Sequence, residues 1–455
     1  MREYFCVRII VIIAVLQLAS LLKIYDFRLL TAALGAILIT LAYGIIGAGF
    51  KKMAAVFLLT GLCINIYKEQ PLTVWISGIN YMLNIGAILV IMQIFSIPIK
   101  LGGYADSLRY LILRAFDNER AIYIFTMLVT HLFSSFLLFG TIPVMLSLVG
   151  APLKSIVKDY RQFAATALSR SYSMVVMWAP GAVNILLVLT ATGARWADMF
   201  FLGASLSALG IFLSYFMQRG KLSRERLKKE DNPQDDRASA GKAVRQMALA
   251  LFIVVILILL IMFFEYLGVG DNTSRVMLAG LILSLCWLSV FIRSPEIKGA
   301  LDGYLKVELI KTVDLFVLYL SIGIFSKALE AAGFLSLLYP YAGAAAEHAG
   351  IFLLPAVSFT VFLLSLLGLH PYVMLVVFGN LLTSLHLPIK PAVIATALVF
   401  GSSIAYMASP FAGIVLTCAK YLDVAPHRIG LYWNGLFGLV YFILGSMIIM
   451  LAGIL

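Results

Sequence analysis

Arg170 stands inside an apolar run, in the stretch Ser169-Arg170-Ser171-Tyr172-Ser173. An arginine at membrane depth costs about 2.5–3.5 kcal/mol on insertion scales, so it faces a cavity or a partner. Its planar fork suits a carboxylate or other oxyanion bound through two parallel hydrogen bonds. The competing reading is a side chain that snorkels to the interface, since Arg161 lies only nine positions earlier. Asn184 follows in the same run, after Ala179-Pro180-Gly181-Ala182. Ser134, Ser135, Thr141, Ser171, Ser173, Ser402, Ser403 and Ser409 each carry a hydroxyl that can donate to a solute or to its own helix. His131 and His370 sit in two further apolar runs, and His370 adjoins Gly368 at a break. A lone histidine in such a setting is either a solute or proton contact or a hydrogen-bonded structural group. Asp314 lies three positions after Lys311 in another run. It is read as a Na+ or H+ coupling carboxylate, or as half of an interfacial ion pair.

These residues need elements that hold them in lipid. The chain has 455 residues, is 62% hydrophobic and only 12% charged. Its mean hydropathy is +1.01. A soluble core cannot hide that much apolar surface, which excludes a soluble enzyme, a nucleic-acid binder and a disordered chain. Cys6, Cys63, Cys286 and Cys418 are scattered without a CxxC, so neither a metal site nor a disulfide framework is expected. There is no P-loop, no HExxH and no catalytic constellation.

Apolar runs near 7–25, 28–50, 52–67, 72–97, 160–193, 196–218, 246–268, 274–292, 309–331, 391–419 and 430–454 read as spanning helices. The first is read as a retained span rather than a cleaved signal. Residues 121–150 carry no formal charge and would be too long for one crossing. Gly140 and Pro143 interrupt them, and basic residues flank both ends. This run should enter and return as a re-entrant hairpin, as should 349–389, broken at Gly368, His370 and Pro371. The expected architecture is an all-α polytopic membrane protein of about eleven spans and two hairpins.

The halves resemble each other. Ala165-Thr166-Ala167-Leu168 recurs as Ala395-Thr396-Ala397-Leu398, and in that register Ser173 meets Ser403, Met177 meets Met407 and Pro180 meets Pro410. Gly140-x-x-Pro143 recurs as Gly368-x-x-Pro371. Residues 1–27 then form an extra N-terminal helix, 28–218 one repeat, 219–245 a charged linker and 246–455 the second repeat. Five crossings per repeat is odd, so the second copy lies inverted, the pattern of secondary transporters. Pro180 with Gly181, and Gly401, Pro410 and Gly413, should break two helices near midplane. Broken helices expose N–H groups that favour anions and C=O groups that favour cations.

With the N-terminus inside, the cytoplasmic face collects 26 of the 34 Lys and Arg, nine of them in the linker. The net charge of +12 thus reflects membrane orientation and needs no nucleic-acid partner.

The order of elements resembles the ion transporter superfamily, in particular its divalent-anion/sodium symporters of citrate and dicarboxylate type. Residues 131–144 (HLFSSFLLFGTIPV) and 366–373 (LLGLHPYV) look like its hairpin tips. Residues 178–184 (WAPGAVN) and 408–413 (ASPFAG) look like the turns that follow. The family's Ser-Asn-Thr triplet is missing, Phe139-Gly140-Thr141 and Gly368-Leu369-His370 standing at the tips. The resemblance implies a homodimer, alternating access and a small anion as substrate. The expectation is a secondary transporter of the inner membrane, without a resident cofactor. A Na+/H+ antiporter or other cation exchanger, in which Asp314 matters more than Arg170, is the near alternative. A membrane-embedded enzyme acting on a lipid-linked substrate is the distant one.

Overall fold

The computed structural model describes residues 2–21, 25–137, 141–223 and 236–454. In chain order the helices are α1 (Arg2–Leu21), α2 (Arg28–Ala42), α3 (Ala48–Tyr67), α4 (Leu72–Tyr81), α5 (Leu83–Gln93), α6 (Ser96–Leu101) and α7 (Tyr104–Tyr110). Next come α8 (Glu119–Leu137), α9 (Thr141–Ile156), α10 (Tyr160–Val175), α11 (Val183–Thr192), α12 (Trp196–Gln218), α13 (Asp236–Tyr266) and α14 (Asn272–Ser289). The last are α15 (Ile297–Gly303), α16 (Val313–Ala331), α17 (Phe334–Ala349), α18 (Leu353–Leu366), α19 (Pro371–Ser384), α20 (Pro391–Ala408), α21 (Gly413–Leu422) and α22 (Gly435–Ile454). No strand occurs among the described residues. The protein is an all-α, multi-pass membrane protein.

Ten helical stretches among the described residues are long and apolar enough to cross a bilayer. They are not the eleven expected. The α2 helix has only 15 residues, the 160–193 run is interrupted, and the polar first turn of α14 shortens its apolar length. Two of the ten, Glu119–Leu137 and Pro340–Leu366, lie within or run into the hairpin runs. Helix α17, with the start of that second stretch, falls where the sequence reading placed no span. The expected linker of 219–245 also ends early. Helix α13 begins at Asp236, because Ala, Arg and Lys are good helix formers.

The chain divides into two compact units, Met1–Leu101 with Leu259–Ala345, and Gly102–Ile258 with Ala346–Leu455. In the first unit α16 is the buried centre, packed on α3 and α4. Small residues allow that approach. A Cβ on Gly61 would lie 2.9 Å from the Phe325 Cα. One on Gly86 would lie 2.6 Å from the Phe316 ring.

In the second unit α10, α11 and α20 form the core. Consecutive helices α8 and α9 pack as one hairpin, α18 and α19 as another. The α8–α9 base is tied down by Glu119, whose buried carboxylate accepts from the Lys158 N–H (2.7 Å) and the Ser223 N–H (2.8 Å). Helix α18 crosses α20 at Gly401, where any Cβ would strike the Ser358 carbonyl oxygen. Gly401 is therefore not a break, as its sequence had implied. Helix α20 runs unbroken through it, and the missing side chain admits a neighbouring backbone.

The repeat is visible as matching boundaries. Helices α11 and α21 both have ten residues and start 230 positions apart, at Val183 and Gly413. Their preceding residues, Ala182 and Ala412, share extended geometry with ψ of 127° and 134°. Both helices end in a left-handed residue, Gly193 and Asp423. The hairpins keep this register too, α9 starting at Thr141 and α19 at Pro371. Pro371 therefore answers Thr141 and not Pro143, so the Gly-x-x-Pro match was two positions out of register. Pro143 lies in the first turn of α9 and interrupts nothing, since a proline there replaces an N–H with no helical partner. Gly140 lies outside the described residues. Equivalent positions face one another in each unit: Gly86 meets Phe316, and the Ser403 hydroxyl donates to the Ser173 carbonyl at 2.6 Å.

Candidate functional site

Two helix interruptions lie in the second unit. Residues 176–182 separate α10 from α11, and 409–412 separate α20 from α21. Pro180 with Gly181, and Pro410, occupy these turns as expected, and Gly413 opens α21. A proline N cannot donate, so neither helix closes its next turn through it. Neither α11 nor α21 has a side-chain cap. Each therefore begins with backbone N–H groups that lack intrahelical acceptors.

The interruptions share a polar lattice. Asn184 donates from Nδ2 to the Ser402 hydroxyl at 2.7 Å, and Tyr406 donates its O–H to Asn184 Oδ1 at 3.1 Å. Ser402 donates back to the Val399 carbonyl (2.8 Å). The Tyr406 ring meets Tyr172 edge-on at 6.0 Å and Tyr372 at 6.5 Å. Around the start of α11 is a small cavity of about 10 Å3, lined by Ser134, Tyr172, Ala182, Val183, Asn184 and Tyr372. That is room for roughly one water. The hydroxyls of Ser134, Ser171 and Ser173 are buried and have no hydrogen-bond partner. Each such group costs roughly 1–3 kcal/mol, which is tolerated where something else is to be bound.

The remaining predicted residues divide. Ser135 donates to Leu132 O (2.7 Å) within its own helix. Thr141 is buried at the start of α9. Ser409 donates to Ser365 O (2.8 Å), tying the second interruption to the α18 arm. His370 caps α19, its Nδ1 accepting from the Tyr372 N–H at 3.3 Å, and Pro371 takes the first helical position. Gly368 turns the tip with φ +92°, a conformation that favours glycine. His131 is hydrogen-bonded at both ring nitrogens: Nε2 accepts from the Trp178 indole at 2.9 Å, so Nδ1 carries the proton shared with Ser171 O at 3.3 Å. Asp314 belongs to the first unit, where it accepts from the Gly47 N–H at 3.3 Å. Lys311 pairs with Glu308 (3.4 Å) instead of with Asp314.

Arg170 lies inside the protein. It is 2% exposed, so it does not snorkel. Its fork is held by protein acceptors: Nε on Asn434 Oδ1 (2.8 Å), Nη1 on Ser214 Oγ (3.2 Å) and Nη2 on Trp433 O (2.7 Å). The Phe437 ring lies 4.3 Å from the guanidinium carbon. Asn434 in turn donates to Ser169 Oγ and to Met407 O, both at 3.0 Å. The arginine is the hub joining α10, α12 and the start of α22. Asn434, Tyr172, Tyr372 and Tyr406 were not singled out from the sequence. The signal for Asn434 was one amide beside twenty apolar residues; the tyrosines gave none, since aromatics abound in such spans.

The two halves differ in exposure. The turn before α11 is buried, with Ala182 at 2% and Val183 at 3%. At the equivalent turn Phe411 is 62% exposed, and Leu367 at the neighbouring hairpin tip is 73% exposed.

No family profile and no curated protein matches the chain. Among solved structures, it is similar to the YdaH transporter of Alcanivorax borkumensis, at 16% identity with a TM-score of 0.58, covering 80% of this chain and 84% of that one. It also aligns with MtrF of Neisseria gonorrhoeae, described among antimetabolite efflux pumps, at 12% identity and a TM-score of 0.47, over 79% and 80% of the chains. The first likeness shows a shared fold.

Proposed function

We propose that the protein is a secondary active transporter that moves a small, anionic solute by alternating access. One observation carries the reading. Two interruptions with matching backbone geometry differ in exposure, the first buried and the second partly exposed. Inverted repeats caught in unlike states are what alternating access requires, because exchanging their conformations exchanges the open side. The YdaH protein, whose fold is shared, is itself called a transporter.

The anion sits at the start of α11, not on Arg170. Uncapped N–H groups there face a cavity beside the unpartnered Ser134 hydroxyl, with Asn184 and Tyr372 alongside. The present cavity is closed to anything beyond a water, so the solute enters as the α8–α9 hairpin and the α11 turn part. On this reading the hairpins are re-entrant, the N-terminus is cytoplasmic, the membrane is the inner one and the assembly is a homodimer. Asp314 is the proposed Na+ or H+ coupling carboxylate. The test is uptake into proteoliposomes across a panel of small anions, with Na+ or H+ gradients imposed separately. Gradient-driven accumulation of one anion, abolished by Ser134→Leu in a protein of normal stability, is expected. Normal accumulation by Ser134→Leu would place the solute elsewhere. Gradient-driven movement of cations alone would leave the cation exchanger as the reading.

A further inference from the structure

Away from the interruptions, a cavity of about 300 Å3 opens between α7, the turn after it and the first turns of α13. Its charged lining is Arg109, Arg114 and Lys242 against a single carboxylate, Asp106, with the Ser239 hydroxyl and the apolar Leu113 beside them. We propose that it is a binding site for the headgroup of an anionic phospholipid of phosphatidylglycerol type.

The backbone is shaped to converge these cations. Arg109 and Arg114 are five positions apart, which in a regular α-helix puts them about 140° apart around the axis. Residues Leu111–Ala115 form a π-helical turn, whose i to i+5 closure draws such residues toward one face. Ser239 and Lys242, three apart on α13, share a face by ordinary helical spacing. The two walls are joined through Gln246, which accepts from the Ser107 hydroxyl and donates to the Gly102 carbonyl. The two walls are thus tied together beside the cavity.

Its depth selects the ligand. Ser239 is the first residue of the apolar stretch Ser239–Tyr266, and Glu119, soon after Arg114, opens Glu119–Leu137. Residues at the start of two spans lie at headgroup level. Arg109 and Lys242 there match a phosphodiester, Asp106 can accept from the headgroup glycerol hydroxyls, and Leu113 meets the start of an acyl chain. A free phosphate compound offers the same anion but neither the hydroxyls with their anchored position nor the chain.

The experiment measures retained lipid by native mass spectrometry after exchanging the full-length protein through vesicles of phosphatidylcholine with or without phosphatidylglycerol. The wild type should retain phosphatidylglycerol selectively. Arg109→Gln with Lys242→Gln should weaken that retention roughly 30-fold. Ser239→Glu, which leaves every cation in place, should also abolish it. The charge-matched pair Arg293→Gln with Lys298→Gln, on exposed basic residues elsewhere, should retain lipid as the wild type does. Equal unfolding midpoints in lipid-free detergent certify that each variant is folded. Undiminished retention by either cavity variant overturns the site. Equal loss in the control pair reduces it to general surface charge. Displacement of the lipid by soluble glycerol phosphate at matching concentration assigns the cavity to a free phosphate compound.

Discussion

Arg170→Lys separates a structural arginine from one that touches solute. The guanidinium donates three charged hydrogen bonds, to Asn434, Ser214 and Trp433, across three directions. A lysine ammonium keeps the charge but cannot hold that planar set. At ~1.5–3 kcal/mol for each bond to a charged group, losing two of the three costs ~3–6 kcal/mol. Breaking a buried charged network costs ~3–5 kcal/mol, which bounds the estimate from experience. We therefore expect Arg170→Lys to lose about 3–5 kcal/mol in reversible unfolding in mixed micelles. The folded fraction should bind solute with unchanged affinity, because the partners that hold the fork, Asn434, Ser214 and Trp433, are not in the α11 cavity lining.

A double-mutant cycle sharpens this. Asn434→Ala removes the partner of Nε and also the donors to Ser169 and Met407. Combined with Arg170→Lys it should show non-additivity of ~1.5–3 kcal/mol, the value of the bond that both variants remove. The refuting result is an Arg170→Lys protein of wild-type stability that binds solute at least ten times more weakly. That outcome puts the fork on the solute and returns the anion from the α11 turn to Arg170.

Three further outcomes follow from particular contacts. Pro180→Ala and Pro410→Ala should each depress transport in proteoliposomes more than they depress yield, since both restore helix-forming capacity where the two turns sit; normal transport by both makes these prolines incidental. Gly401→Ala should destabilise by ~1–3 kcal/mol in the same micelle assay, because its Cβ overlaps the Ser358 carbonyl; no loss of stability means that α18 does not cross α20 there. Removing 225–234 should leave uptake intact, because shortening the connection between two helices changes its closure entropy little. Extending the deletion through Gln246 should not be tolerated, because that residue joins α13 to Ser107 and Gly102, and tolerance of the longer deletion would discount this joint.

What the sequence disclosed follows from the kind of physics involved. Burial in lipid is written residue by residue, so Trp196–Gln218 was bounded to the residue, and the interruptions at Pro180 and Pro410 were expected from their prolines together with nearby glycines. The 230-residue repeat was read from matched positions, and one matched pair, Ser173 and Ser403, is joined by a hydrogen bond. Register failed only at the hairpins, where two Gly-x-x-Pro strings matched by composition while the helix starts fix Thr141 against Pro371. Gly401 shows the limit on the local side: a glycine in a span reads equally as a break or as room for a neighbour, and only the passage of Ser358 decides. Arg170 shows the limit at long range. Its burial was readable, since an arginine in a span needs partners, but those partners stand about 260 positions away at Trp433 and Asn434, with a third on α12. Nothing local to Arg170 distinguishes an acceptor supplied by the protein from one supplied by a solute. The same reasoning run from the other end is more informative: a lone Asn434 beside the apolar α22 also needs partners, and two lone polar groups in lipid are each other's most economical solution. Pairing such orphans across the whole chain, before assigning any of them to a ligand, would have moved the proposed anion site from Arg170 to the uncapped backbone at Val183.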